Sequence, residues 1–154
     1  MEKKTVKTIL EGYEAKKENL MLILNDINDT NGYIDKADMQ DIADFLDISA
    51  TEVYGTTTFY SFFNLKQKGK YIVRVCKSVS CDMAGKSDIV KTIEEELKIK
   101  IGDTSADKMF TLEYTNCMGM CDVGPAMMVN KEIHTKLTPQ KIKEVIGNLK
   151  KGGN

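Results

Sequence analysis

Residues 71–81 read YIVRVCKSVSC and residues 110–121 read FTLEYTNCMGMC. Each stretch opens with a strand-like run. Tyr71–Cys76 is rich in β-branched residues and of strand length, while Phe110, Leu112 and Tyr114 alternate with Thr111, Glu113 and Thr115 as a half-buried strand requires. Each run then leads into a pair of cysteines. The spacing is C-x4-C from Cys76 to Cys81, 35 intervening residues, and C-x3-C from Cys117 to Cys121. Two loops leaving adjacent strands of one sheet would bring these pairs face to face, and four thiolates suit a 2Fe-2S cluster.

Between the two strands, Ile89, Val90, Ile93 and Leu97 form a helical stripe. Residues 126–129 (AMMV) make another short apolar run, with Glu132–His134 as its hairpin partner. Thr138 and Pro139 then supply an N-cap and a first helical residue. The last helix carries Ile142, Val145, Ile146 and Leu149 inward and ends at Gly152-Gly153. The order of strand, helix, strand, strand, hairpin partner and helix predicts an α/β domain over residues 69–154.

Upstream, the polar stretch 64–70 (NLKQKGK) marks a boundary. Residues 5–66 read as helical and make a small bundle, giving a helical domain over residues 1–68. In its first clear helix Leu20, Ile23, Leu24 and Ile27 recur before Asn31-Gly32 supplies a stop. A second helix fits residues 36–47, with Asp35 as N-cap and Met39, Ile42, Ala43 and Leu46 inside. A third starts at Ser49, where Ser49-Ala50-Thr51-Glu52 has the form of a capping box.

The 154 residues carry 22 Lys plus Arg against 23 Asp plus Glu, so no positive field recommends nucleic acid as a partner. No apolar run approaches the roughly 20 residues of a membrane span, and Met1-Glu2-Lys3-Lys4-Thr5 leads into a charged amphipathic segment instead of a signal core. The expectation is a soluble, cytoplasmic protein with no direct membrane insertion. In that reducing compartment four cysteines are read first as metal ligands or redox groups.

Other uses of four cysteines are weaker matches. Structural zinc also takes four thiolates but draws them from tighter C-x2-C knuckles; a zinc-stabilised interaction module is the alternative of another class. A dithiol redox site favours C-x-x-C, which neither pair has. Inert buried cysteines need no pairing, and a Rieske centre needs two histidines where the chain has only His134. Around the second pair, Gly119 and Gly124 allow positive φ and a close backbone approach that aims N–H groups at sulfur. Pro125 stiffens the exit, and Met118 and Met120 supply apolar shielding.

Several other signals fail on inspection. Gly85-Lys86-Ser87 mimics the tail of a phosphate loop, but Ser80 stands where the first glycine belongs. A calcium loop around residues 29–35 would need Ile27 as its first ligand and Asp38 as its last, so helix termination is the better account. No G-x-G-x-x-G follows a strand. His134, with no acidic or nucleophilic motif nearby, reads as a surface residue at a strand end.

The cysteine pattern, preceded by Val53-Tyr54-Gly55 and Thr58-Phe59-Tyr60, resembles the 24 kDa subunit family of NADH dehydrogenase. The same family includes small subunits of NAD(P)-linked, electron-bifurcating iron hydrogenases and of NAD-dependent formate dehydrogenases. The resemblance runs from about Leu20 to Leu149 and departs at Tyr33-Ile34-Asp35 and Thr56-Thr57, neither of which touches a cysteine.

The resemblance implies a thioredoxin-like ferredoxin domain behind an N-terminal helical bundle, with Cys76, Cys81, Cys117 and Cys121 holding one 2Fe-2S cluster. It also implies a flavin- and iron-sulfur-containing NAD(P)H-oxidising partner subunit that carries FMN and binds NAD(P), and a hydrogenase catalytic subunit beyond it. Short length and lack of extensions favour a soluble hydrogenase complex over a respiratory or formate dehydrogenase one. The chain itself would pass electrons without turning over substrate. Arg74, Lys77 and Lys86 are candidates to tune the cluster by charge, and Phe59, Tyr60, Phe62 and Phe63 either dock the flavin subunit or close the core of the bundle.

Overall fold

The computed structural model describes residues 6–152, and the chain divides between Gln67 and Lys68 into two compact units. The expected helical start at Thr5 and the stop at Gly153 lie outside the described residues.

The first unit holds α1 (Val6–Leu10), a 3-10 turn (Lys17–Asn19), α2 (Leu20–Asn31), α3 (Lys36–Leu46) and α4 (Ala50–Phe59). Leu20, Ile23, Leu24 and Ile27 all face inward from α2, and Gly32 stops it at φ 79°, donating its N–H to Asn28 O. Only glycine enters that left-handed region without cost. Asp35 caps α3 by accepting from Ala37 N and Asp38 N, both at 2.9 Å, while Asp38 Oδ2 accepts from Asp35 N. The reciprocal box thus sits at α3. At α4 Ser49 Oγ accepts from Glu52 N at 3.2 Å, while the Glu52 carboxylate pairs with Lys17 Nζ at 2.6 Å.

The helical expectation up to residue 66 is corrected: α4 ends at Phe59, and Tyr60 adopts extended backbone at φ −93°, ψ 112°. Three consecutive threonines explain the stop. Thr57 Oγ1 and Thr58 Oγ1 donate back to Val53 O and Tyr54 O, which weakens a helix of β-branched residues. The chain beyond is fastened by Asn64, whose N–H donates to Asn28 Oδ1 and whose carbonyl accepts from Ile34 N. Phe63 returns to the core formed by Ile23, Leu24, Ile27, Ile34, Ile42 and Val53.

The second unit contains β1 (Tyr71–Cys76), α5 (Val79–Met83), α6 (Lys86–Leu97), β2 (Phe110–Thr115), a 3-10 turn (Cys121–Val123), β3 (Met127–Val129), β4 (Glu132–His134) and α7 (Pro139–Lys151). Its sheet has the order β2-β1-β3-β4. β1 and β2 are parallel, with Tyr71 opposite Phe110 and Cys76 opposite Thr115; β3 runs antiparallel to β1 and β4 antiparallel to β3. The fold is therefore mixed α/β with a four-stranded sheet. Ile89 and Ile93 of α6 and Ile142 and Ile146 of α7 pack with Val73, Val75, Leu112 and Met127. Burying each such side chain is worth about 1.5–3 kcal/mol.

Parallel pairing decides where the chemistry lies: β1 and β2 end at the same edge. The same edge receives the start of β3, because Cys76 N donates to Ala126 O. The simple alternation expected for β2 fails at Thr111, which is buried because its hydroxyl accepts from Gly69 N at 2.7 Å and lies 2.8 Å from Thr104 Oγ1. Gly69 is more than a turn residue: a Cβ there would stand 2.6 Å from the Phe110 carbonyl carbon.

Candidate metal centre

Each cysteine arrives at this edge on a different piece of structure. Cys76 is the last residue of β1 and Cys81 lies inside α5; both are buried. Cys117 follows β2 and Cys121 opens the second 3-10 turn; both are exposed. The expectation of two plain loops is corrected on the first side, where a short helix, not a loop, carries Cys81. An N-cap serine at 78 starts that helix.

The four residues come together as two pairs. The Cys117 and Cys121 sulfurs stand 3.2 Å apart, and Cys76 and Cys81 are buried together in one cluster with Ala126. The pairs are neighbours in turn, since Gly124, which follows the Cys121–Val123 turn, approaches Cys81 Sγ. A single zinc ion asks for four ligands around one point, whereas a 2Fe-2S cluster takes two thiolates at each of two irons. Two facing pairs fit the second demand.

Backbone and hydroxyl donors are aimed at the sulfurs. Gly119 N donates to Cys117 Sγ at 3.4 Å, from a residue whose φ of 81° needs glycine. The Cys76 sulfur lies 3.2 Å from Ser78 Oγ. Burial alone would raise the Cys76 thiol pKa, but hydrogen bonds from the Ser78 side chain and backbone, from Cys81 and from the Met118 backbone bring it below its ordinary value. Cys121 is pushed up, first by its hydrogen bond and charge interaction with Cys117, with the Ser80 hydroxyl opposing. Met118 and Met120 pack on Cys76, Cys81 and Ala126 and screen the inner pair from water, as expected.

Gly124 does not behave as expected. Its φ is −66°, so it needs no glycine for conformation, although its Cα edge does approach Cys81 Sγ, where a Cβ would sit at 3.5 Å. The charged candidates are largely committed elsewhere. Arg74 Nε binds Glu113 Oε1 at 2.7 Å, and Glu113 also takes Lys68. Lys86 Nζ pairs with Asp82 at 3.0 Å and stands over the Tyr114 ring. The Lys77 backbone N–H donates to Thr115 O, tying the exits of β1 and β2 together. His134 is more covered than a surface residue, its side chain 15% exposed and its Nε2 3.9 Å from Glu132.

Sequence reasoning missed Ser78 and Ser80. The signal was present, as hydroxyls at two of the four positions inside C-x4-C.

Comparison with known proteins agrees with this geometry. The family described as thioredoxin-like [2Fe-2S] ferredoxin matches residues 6–150. The chain is 31% identical over 137 residues to the NADP-reducing hydrogenase subunit HndA of Solidesulfovibrio fructosivorans, covering 89% of this chain and 80% of that protein. It is 34% identical over 149 residues to a subunit of the NADH-quinone oxidoreductase of Escherichia coli K12, covering 97% and 90%. With the NAD-reducing hydrogenase HoxS subunit alpha of Cupriavidus necator it shares 35% over 147 residues, 96% of this chain but only 24% of that one. An air-oxidized NAD+-reducing [NiFe]-hydrogenase crystal structure shares the fold, with a TM-score of 0.73 at 20% identity over 87% of this chain and 23% of that one.

Proposed function

The chain belongs to the thioredoxin-like [2Fe-2S] ferredoxin family, and from that premise we propose that it holds one 2Fe-2S cluster on Cys76, Cys81, Cys117 and Cys121. It serves as the electron-transfer subunit of an NAD(P)-linked oxidoreductase. The observation that carries this reading is the gathering of two thiol pairs at one sheet edge by the parallel pairing of β1 and β2. Such a cluster takes up and returns one electron at a time, which complements a flavin that handles hydride.

The chain's own residues hold and shield. Cys76 and Cys81 supply the inner ligands, fixed by β1 and α5; Cys117 and Cys121 supply the outer, exposed ligands. Met118 and Met120 keep water from the inner pair. The Gly119 and Met118 amides meet negative charge on the sulfurs with fixed dipoles.

The partner in this reading is a flavin- and iron-sulfur-containing subunit that oxidises NAD(P)H, with FMN and the nicotinamide bound there, within a hydrogenase complex of the cytoplasm. The hydrogenase names among the relatives support that choice, and among the described residues no helix is long and apolar enough to cross a membrane. The domain of residues 69–154 carries the cluster and that of residues 1–68 docks the partner. On the helical unit Phe59 meets Tyr60 edge-on and Tyr60 lies tilted against Phe62, all in the open at 79%, 36% and 53% exposure, while Phe63 is core. An apolar patch of this kind marks an interaction surface.

Affinity purification of the chain from its native cells, with mass spectrometry of what comes with it, tests the proposal. A flavoprotein that reduces the chain's visible chromophore on addition of NADH or NADPH is expected. Recovery of the chain alone, with no response to either nucleotide, contradicts it.

A further inference from the structure

Among the described residues three hydroxyl side chains stand at helix N-caps, and they are used differently. Ser49 Oγ accepts from Glu52 N and Thr138 Oγ1 accepts from Lys141 N, as capping hydroxyls do. Ser78, at the N-cap of α5 with extended backbone at φ −66° and ψ 155°, makes no capping bond with its side chain. Its hydroxyl is turned the other way and lies 3.2 Å from Cys76 Sγ. A side chain turned away in this way gives up the stabilising bond that a capping hydroxyl makes. The helix is nucleated without it, by Asp82 N donating to Ser78 O.

Resting on the cluster reading above, we infer that Ser78 is a tuning residue, its hydroxyl donating to the Cys76 thiolate of the bound cluster and drawing its reduction potential upward. The chemistry leaves one direction for that bond. An iron-bound thiolate has no proton, so it can only accept, and the serine O–H must be the donor. One added electron makes the sulfurs more negative, and a donor fixed on one of them stabilises the reduced form more than the oxidised form. The site favours such a bond, because Cys76 is 2% exposed and packs with Cys81, Ala126 and Met118, so the low-dielectric surroundings strengthen a donor at its sulfur. With the Arg74 and Lys86 charges paired to Glu113 and Asp82, this neutral donor and the loop amides are the groups in contact with the inner sulfur.

The test compares the full-length chain with Ser78→Ala, Ser78→Gly and Ser78→Thr variants. Each is reconstituted with iron and sulfide and titrated with dithionite while the paramagnetic resonance signal is followed. Ser78→Ala and Ser78→Gly should shift the midpoint to more negative potential. Ser78→Thr, which keeps the hydroxyl, should hold it near wild type. Glycine is included because it also serves as an N-cap and loads if alanine does not. Unshifted midpoints in hydroxyl-free variants that contain full iron and sulfide overturn the tuning role and leave the cluster reading intact. A wild-type chain that takes up no sulfide overturns both.

Discussion

In the helical unit, Asp35 and Asp38 close α3 across three residues, and Gly32 closes α2 across four. At the cysteine edge of the α/β unit, Cys76 packs with Cys81 and Met118, and Cys76 N reaches Ala126. One unit is held at its helix ends by neighbours in sequence. The other builds its working edge from segments brought together only when the sheet forms. Scaffold and site therefore answer to different perturbations: the first to local caps and core volume, the second to any change that moves one sulfur.

The largest effect should come from the cysteines. Cys76→Ala and Cys117→Ala are each expected to abolish the visible iron-sulfur spectrum, while far-ultraviolet circular dichroism stays helical. Full iron content in either variant would erase the contrast between scaffold and site. Next comes replacement of Phe59, Tyr60 and Phe62 together by serine. The expected outcome is loss of copurifying flavoprotein with the spectrum retained, read by pull-down, because these rings lie outside the core. Ile142→Ala, at a position with no exposure, should cost about 2–5 kcal/mol and lower amide-exchange protection in β1, α6 and α7.

Asp35→Ala removes the capping box and should cost about 0.5–2 kcal/mol, read as a lower urea midpoint with an unchanged cluster spectrum. The smallest effect concerns Glu94. A hydrogen bond from Lys100 Nζ holds its carboxyl below the usual carboxylate range, aided by the Ile101 N–H and opposed by burial. A carboxyl lowered in the folded state stabilises fully above the unfolded value near 4.3, and the contribution fades as pH falls through the lower folded value. Glu94→Gln should therefore weaken the chain slightly at neutral pH and flatten its acid limb, as measured by unfolding midpoints from about pH 6 to about pH 3.

Much of this arrangement was legible in the sequence. Tyr71–Cys76 announces itself by β-branched content, Phe110–Thr115 by strand-like residues although its burial does not alternate, the α2, α3, α6 and α7 stripes by period, and Asp35, Ser49 and Thr138 by cap chemistry. The four cysteines were legible as two pairs at strand exits. Other features were not, for physical reasons. The end of α4 depends on threonine hydroxyls competing for Val53 O and Tyr54 O, which helical periodicity does not register. α5 spans only five residues, too few for a periodic signal. Gly69 is fixed by Phe110, 41 residues away, and the inward turn of Ser78 by a sulfur that becomes its neighbour as β1 ends. Arg74 and Lys86 lie close to Cys76 and Cys81 in sequence, yet Glu113 and Asp82 take their charges.

The function proposed for this chain stands on two thiol pairs at one sheet edge holding a 2Fe-2S cluster. The decisive measurement is iron, zinc and acid-labile sulfide analysis of the purified full-length chain, with a paramagnetic resonance spectrum after dithionite reduction. About two iron and two sulfide per chain are expected, with a signal of one unpaired spin that is absent before reduction. Stoichiometric zinc with no sulfide would contradict it.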